Sequence, residues 1–214
     1  MREKKILLGF YNYTVVLTYI GMLVGFAGIM QAMEGKFHCA LVCLMVAGLC
    51  DMFDGTVAST KKDRTKDEKA FGIQIDSLSD LICFGVLPAS IVYRMRVDES
   101  QMFLAIPCFF VLCGLIRLAF FNVDEANRQQ QTSASREFYL GLPITSSALL
   151  LPAVLEVCAY FEWNRFMVGM GTLLVIGCAY VLPFRLKKIH LVGKICMIVF
   201  GGVEFALLLM GGLI

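Results

Sequence analysis

The chain has 214 residues, of which 58% are apolar and only 17% are charged, and its mean hydropathy is +0.75. This composition excludes a disordered chain, a collagen and a disulfide-stapled secreted module, and it disfavours a soluble domain, which averages about 25% charged residues. The net charge of +2 is too small to indicate a nucleic-acid partner. We therefore expect an integral membrane protein.

Seven apolar stretches are long enough to cross a membrane, which takes about 20 residues. They cover about 14–33, 38–60, 72–94, 101–123, 141–161, 165–183 and 190–213. The first lacks a clear cleavage site, so we interpret it as a retained helix and not as a signal peptide. Because the connections are short, we predict a single domain over residues 1–214, an all-α polytopic bundle of about seven transmembrane helices.

The positive charges indicate how these spans are oriented. With a cytoplasmic N-terminus, the inner segments carry thirteen basic residues and the outer segments four, as the positive-inside rule requires. The inner set is Arg2, Lys4, Lys5, Lys61, Lys62, Arg64, Lys66, Lys69, Arg128, Arg136, Arg185, Lys187 and Lys188, and the outer set is Lys36, Arg94, Arg96 and Arg165. This orientation places the connection between the second and third spans in the cytoplasm.

Four carboxylates lie where the second span ends and the third begins. Asp51 and Asp54 are three residues apart, and Asp76 and Asp80 are four apart. Both spacings place a pair on one helix face, and two antiparallel helices can turn those faces towards each other. Carboxylates within membrane spans are costly and usually functional. We therefore predict that these four form one site.

Carboxylates gathered in this way repel each other unless protonation or bound cations neutralise them. Oxygen ligands suit Mg²⁺, Mn²⁺ or Ca²⁺, whereas zinc prefers histidine and cysteine. Two such ions could hold a pyrophosphate for in-line attack. A plainer interpretation is a set of solvated acids paired with the lysines of the connecting loop. A cation transporter is another alternative, although all four acids lie near one face of the membrane.

Small residues accompany the carboxylates at helical spacing. Gly55 follows Asp54 directly, Ala58 comes about one turn later, and Gly72 comes one turn before Asp76. Their missing side chains would leave room for a ligand beside the metals, or would simply allow close helix packing.

These residues together form a known pattern. The signature of the CDP-alcohol phosphotransferases is D-x2-D-G-x2-A-R followed by G-x3-D-x3-D. This sequence resembles it at Asp51, Asp54, Gly55, Ala58, Gly72, Asp76 and Asp80. The resemblance implies a six-helix core, to which this chain would add one helix, a divalent-metal site and a homodimer.

The sequence departs from the signature in two ways. Ser59 stands where the family has arginine, and twelve residues separate it from Gly72, about four more than usual. Our hypothesis is that Lys61, Lys62 or Arg64 of this insert supplies the missing cation to the nucleotide or its phosphates. The alternative is a solvated loop whose basic residues only set the topology.

Three further strings are similar to the phosphatidylserine synthase branch of the family. Residues 76–89 resemble D-S-L-x-D-x3-F-G-x-x-P-A, and residues 117–123 resemble R-L-A-R-F-N-V with Phe120 in place of the second arginine. Residues 138–143 are similar to F-x-G-L-P, and the segment from Tyr11 to Thr14 looks like a divergent form of an N-terminal P-N-x-x-T. The resemblance covers roughly residues 10–145.

The resemblance implies transfer of a phosphatidyl group from CDP-diacylglycerol to L-serine with release of CMP, at the cytoplasmic side of the cell membrane. It assigns two Mg²⁺ or Mn²⁺ ions to the four aspartates and a general-base role to Asp80. It also places Gly55, Ala58 and Gly72 along the nucleotide pocket.

The acceptor site is less defined by the sequence. Serine carries a carboxylate, so we expect a cation in its pocket, and we predict that Arg117 and Asn122 bind the acceptor. Arg128 and Arg136 are rivals, and Arg117 could instead be an interfacial arginine that reaches towards water. The alternatives for the whole protein are a relative using another alcohol, such as glycerol 3-phosphate, inositol phosphate or an amino alcohol, and an inactive relative.

Overall fold

Seven α-helices form the body of the protein in a computed structural model that describes residues 8–96, 101–131, 138–187, 199–206 and 208. They are α1 (Val16–Met33), α2 (Phe37–Thr60), α3 (Lys66–Asp80), α4 (Leu87–Arg94), α5 (Ala105–Gln131), α6 (Ser147–Tyr160) and α7 (Arg165–Val181). Single 3-10 turns precede α1, α5 and α6, at Tyr13–Val15, Gln101–Leu104 and Ile144–Ser146. Residues 199–206 are also helical.

Four helical segments of the described chain have the length and apolar composition needed to cross a membrane. They are Tyr13–Met33, Phe37–Thr60, Lys66–Arg94 and Ala105–Arg128, while Ile144–Tyr160 and Arg165–Val181 are shorter apolar helices. Many large apolar side chains on their outer faces are exposed, among them Leu23, Phe26 and Val175. An apolar exterior of this kind is what a lipid environment requires, so the expectation of an all-α membrane protein is confirmed.

The predicted windows match these helices with differences at their ends. The third helix begins at Lys66, six residues before the predicted 72, because Thr65 caps it. The helix α5 corresponds to the fourth predicted span, 101–123, and continues beyond the end of that span to Gln131. Most of the predicted seventh span, 190–213, lies outside the described residues. Within it, residues 199–206 are helical as predicted.

A stripe of small residues lets α1 pack closely against α2. Gly21, Gly25, Gly28 and Ala32 of α1 are buried, at spacings of three or four residues. A Cβ atom at Gly21 would lie 3.1 Å from the Cβ of Cys50, and one at Gly28 would lie 2.8 Å from the Cβ of Cys43. Such backbone proximity is typical of helix packing in membranes. It fixes the two helices in an antiparallel register.

A π-helical turn at Leu81–Val86 joins α3 to α4 directly after Asp80. Pro88, in the first turn of α4, has no N–H to donate to the carbonyl of Phe84 four residues earlier. The hydroxyl of Ser147 donates to that carbonyl instead, at 3.0 Å. The string from Asp80 to Pro88 therefore encodes a change of helical geometry at the end of the carboxylate face, where π turns are frequently functional.

One small sheet departs from the all-α prediction. The strand β1 (Phe138–Leu140) pairs antiparallel with β2 (Arg185–Lys187), Leu140 opposite Arg185. Gly141 follows β1 with φ of +69°, and a Cβ there would lie 2.9 Å from the carbonyl oxygen of Tyr180. Both observations require glycine at this position. The turn lays residues 141–143 across the end of α7, where the backbone N–H of Leu142 donates to the carbonyl of Ala179.

Candidate active site

Three of the predicted aspartates converge between α2 and α3. One carboxylate oxygen from each of Asp51, Asp76 and Asp80 lies within 4.8 Å of the other two. All three side chains are half-buried. The Oδ1 atom of Asp76 is buried and has no hydrogen-bond partner, although buried polar atoms are nearly always paired. An oxygen-rich cluster with an unpaired buried oxygen fits a hard divalent cation.

Asp54 is oriented from the first helix. Its Oδ2 atom accepts a hydrogen bond of 2.9 Å from the Oγ1 atom of Thr18, which is only 8% exposed. Thr18 continues the small-residue stripe of α1 one turn before Gly21, and Asp54 lies one turn after Cys50, which faces Gly21. The close α1–α2 packing therefore brings the hydroxyl to the carboxylate. Asp54 is in turn within side-chain contact of Asp76.

The small residues of the signature differ in their surroundings. A Cβ atom added to Gly55 would have nothing within 4 Å, so this position faces open space, and Ala58 is half-buried. At Gly72 the added atom would lie 2.6 Å from the Nη2 atom of Arg64. The expectation of room for a ligand beside Gly72 needs a correction, because an arginine side chain already occupies that room.

The loop between α2 and α3 is held by a network around Glu68. Glu68 completes a capping box with Thr65 at the start of α3, and its Oε1 atom accepts hydrogen bonds from Lys61 at 2.9 Å and from Asn12 at 2.8 Å. Asn12 also caps the 3-10 turn before α1 through its Oδ1 atom, which accepts from the N–H of Thr14. The divergent string therefore anchors the 3-10 turn that precedes α1 to the loop.

The structure pairs Asn122 with Ser77. Its Nδ2 atom donates to the Ser77 hydroxyl at 2.9 Å, and that hydroxyl lies 3.2 Å from Asn122 Oδ1. Ser77 directly follows Asp76, so α5 supports α3 beside the carboxylates. Asn122 does not line the cleft that contains Arg117, the other predicted acceptor residue.

Arg117 lines a cleft of about 200 Å³ between α5 and the end of α7. Arg117 is 8% exposed, and its Nε atom donates to the carbonyl of Leu142. The segments 117–123 and 138–143, which both resemble the serine branch, therefore meet here. Tyr180 also lines the cleft and donates its hydroxyl to the carbonyl of Ile144 at 2.8 Å. Tyr180 is close enough to Arg117 and Asp80 to interact electrostatically with both. Through Tyr180, the cleft lies within electrostatic range of Asp80 in the carboxylate cluster.

Comparison with known proteins identifies the family to which this arrangement belongs. A sequence model of the CDP-alcohol phosphatidyltransferases matches residues 11–180, which extends beyond the resemblance over residues 10–145. The chain belongs to this family. The match makes it a phosphotransferase of the CDP-alcohol type and removes the reason to regard the carboxylates as the ion site of a transporter.

Among its relatives are enzymes whose names place them in the serine branch. The chain is 31% identical to the archaetidylserine synthase of Methanothermobacter thermautotrophicus over 84% of this chain and 73% of that protein. It is 37% identical to the CDP-diacylglycerol–serine O-phosphatidyltransferase of Saccharomyces cerevisiae over 62% of this chain and 51% of that protein. It is 26% identical to the Bacillus subtilis enzyme of the same name, over 84% and 91%. The expected similarity to the serine branch is confirmed.

The aspartates of this CDP-alcohol phosphatidyltransferase fit the divalent metals that the family uses. Three polar residues near them were missed from the sequence, namely Thr18, Ser77 and Tyr180. Thr18 carried a usable signal, because it is a polar residue at helical spacing from three glycines of an apolar span. Ser77 and Tyr180 acquire their importance only from partners 45 and 36 residues away.

Proposed function

We propose that the protein transfers a phosphatidyl group from CDP-diacylglycerol to L-serine and releases CMP. The observation that supports this most is the convergence of Asp51, Asp76 and Asp80 from the two halves of the family signature. The names of the relatives support serine as the acceptor, because one is an archaetidylserine synthase and two are CDP-diacylglycerol–serine O-phosphatidyltransferases.

The aspartates would hold the metal. Asp51, Asp54 and Asp76 offer carboxylate oxygens, and Asp80 would share a ligand role, in a site for two Mg²⁺ or Mn²⁺ ions. Such ions supply positive charge that neutralises the pyrophosphate and the departing CMP. Thr18 holds Asp54 in its orientation, and the Ser77–Asn122 pair holds the last turn of α3, which carries Asp76 and Asp80, against α5.

The chemical step needs a base and a bound acceptor. Asp80 takes the proton of the serine hydroxyl while the serine oxygen forms a bond to the phosphatidyl phosphorus, and the bond from that phosphorus to the CMP oxygen breaks. Arg117 binds the serine carboxylate from the cleft that it lines, where its burial strengthens the attraction. Asn122 acts on the acceptor indirectly, through Ser77.

The nucleotide lies on the loop side of the aspartates. Gly55 faces open space there, and Ala58, on the same helix, is half-buried and has only a methyl side chain. Of the three basic candidates in the loop, Lys61 and Arg64 are half-buried and Lys62 is exposed. One of these side chains takes the place of the arginine that the family has at Ser59.

The site opens to the cytoplasm in this proposal. The loop between α2 and α3 and the first turn of α3 together carry five basic residues within nine positions, and this density favours the inner face of a membrane. Seven spans with a cytoplasmic N-terminus, a single domain and a homodimer complete the arrangement. Alkylation of single cysteines placed at positions 62 and 36 in intact cells would test it, because only position 36 should be accessible from outside.

Incorporation of radiolabelled L-serine into chloroform-soluble lipid tests the reaction. Purified protein receives CDP-diacylglycerol with Mg²⁺ or Mn²⁺, and Asp80→Asn is the control. We expect labelled lipid from the natural sequence and none from the variant. CMP release with another alcohol but not with serine would overturn the choice of acceptor. Absence of CMP release with every alcohol would overturn the proposed function.

A further inference from the structure

The side chain of Arg64 reaches the face of α3 that carries the aspartates. Its Nη2 atom lies 2.6 Å from the position that a Cβ atom would take at residue 72, so a side chain there would force the guanidinium to move. Gly72, Asp76 and Asp80 follow one another at four-residue spacing and share this face. Gly72 precedes Asp76 by one helical turn, about 6 Å along the helix axis, so the guanidinium contacts this face one turn before the first of its aspartates.

The hydrogen-bonding capacity of Arg64 is largely unused. Its Nη2 atom donates to the carbonyl of Glu68 at 3.3 Å, a long bond, and its Nε atom is buried without a partner. A buried donor that has lost water and gained no acceptor is costly. The planar guanidinium matches two phosphate oxygens at once, so a phosphate is the acceptor that this geometry suits best.

The two lysines of the loop are placed differently. Lys61 forms an ion pair with Glu68 at 2.9 Å, and this hydrogen bond raises the pKa of the Lys61 ammonium. Lys61 is therefore part of the network that holds the loop. Lys62 is exposed to solvent. Ser59, at the position of the family arginine, is exposed and donates its hydroxyl to the carbonyl of Thr56 at 2.7 Å.

We propose that Arg64 is the residue of the insert that binds the phosphates of the CDP group, in place of the arginine absent at position 59. The loop is longer than in the family, and the capping box at Thr65 starts α3 directly after Arg64. From this position in the loop the guanidinium reaches Gly72 of the signature. The glycine at position 72 leaves the space in which the Arg64 side chain crosses α3. This inference rests on the proposed function and names the residue that serves it.

Binding of CMP to the full-length protein in detergent with Mn²⁺, measured by calorimetry, tests the assignment. We expect Arg64→Ala to weaken CMP binding about 10- to 100-fold, as for a lost hydrogen bond to a charged group. The KM for CDP-diacylglycerol should rise by a similar factor while the KM for serine stays within about twofold. Lys66→Ala, which removes an exposed positive charge two residues away, should leave both constants unchanged.

Moving the arginine from position 64 to position 59 tests whether the guanidinium itself is what binds CMP. Placing the family arginine by Ser59→Arg in the Arg64→Ala background should recover about tenfold or more of the lost affinity. Gly72→Ala should weaken CMP binding by displacing the guanidinium, and should cause little further loss in the Arg64→Ala background. If Arg64→Ala fails to fold, Arg64→Lys replaces it and should still bind CMP several-fold less tightly, because it lacks the guanidinium fork.

Two results separate this inference from the proposed function. Natural protein that binds CMP through Arg64 but does not transfer to serine would overturn only the acceptor. Serine transfer with CMP affinity unchanged in the folded Arg64→Ala and Arg64→Lys variants would overturn the role of Arg64. Failure of the natural protein to bind CMP would overturn it as well.

Discussion

The hydroxyl of Thr18 donates a hydrogen bond of 2.9 Å to Asp54 Oδ2 across the interface of the first two membrane helices. The two residues are 36 positions apart, and the glycine stripe of α1 brings their helices close enough for the bond. An aspartate that is held by a buried hydroxyl has fewer orientations to lose when it binds a cation. Thr18 is thus a positioning residue for the carboxylate site.

Replacement of Thr18 by valine should weaken metal activation. Valine keeps the shape of the side chain but removes the donor, so Asp54 loses its orientation. We expect the Mn²⁺ concentration for half-maximal activity to rise about tenfold, the usual cost of a hydrogen bond to a charged group. Thr18→Ser retains the hydroxyl and should stay near the natural value. Equal metal titrations for all three proteins would contradict this role.

Replacement of Asp76 by asparagine should separate stability from metal binding. Asp51, Asp76 and Asp80 place like charges within 4.8 Å, so removing one charge relieves repulsion in the metal-free protein. In EDTA we expect the Tm of Asp76→Asn to equal or exceed that of the natural protein. Added Mn²⁺ should raise the Tm of the natural protein only, since the variant has lost a ligand. A similar Mn²⁺ shift in both proteins would argue against a metal site here.

The Ser77–Asn122 pair offers a test of whether Asn122 binds the acceptor itself. If it only supports α3, Asn122→Ala and Ser77→Ala should each lower kcat by similar factors, and the double variant should be no worse than either. Neither change should affect the KM for serine selectively. A rise in that KM confined to Asn122→Ala would instead indicate direct acceptor binding.

Arg117 should determine the affinity for serine. Arg117→Gln removes the charge that faces the cleft, and we expect the KM for serine to rise about tenfold or more while the KM for CDP-diacylglycerol changes little. Arg117→Lys should recover part of the loss, because it restores the charge without the planar fork. Equal effects on both KM values would place Arg117 with the phosphates rather than with the acceptor.

Gly141 should tolerate no side chain. Its φ of +69° and the carbonyl of Tyr180 only 2.9 Å from the Cβ position make alanine both strained and crowded. We expect Gly141→Ala to destabilise the protein by about 1–3 kcal/mol and to lower its Tm in detergent. Gly171→Ala is a matched control in α7, where an added Cβ meets nothing within 4 Å and should be neutral or stabilising. A Tm for Gly141→Ala equal to that of the control would show that the turn adapts.

Much of the candidate site was accessible from local patterns. The spacing of Asp51 from Asp54 and of Asp76 from Asp80 depends only on helical periodicity, which holds in any tertiary context. The lengths of the apolar windows depend on bilayer thickness and likewise predicted the first six helical segments. These features are encoded within about twenty residues of chain, so the sequence alone determined them.

The partners of those residues were decided by the tertiary structure. Whether Gly72 faces a nucleotide or an arginine depends on the path of the loop that holds Arg64, and this path follows from the contacts of Glu68 with Lys61 and Asn12. The support of Asp54 by Thr18 depends on the depth of helix packing, and the β1–β2 pair joins segments about 45 residues apart. Such contacts join positions distant in the chain, and no local periodicity specifies them. The sequence by itself therefore determined which residues form the carboxylate faces, and only the packing of the helices decided what holds each of those residues in place.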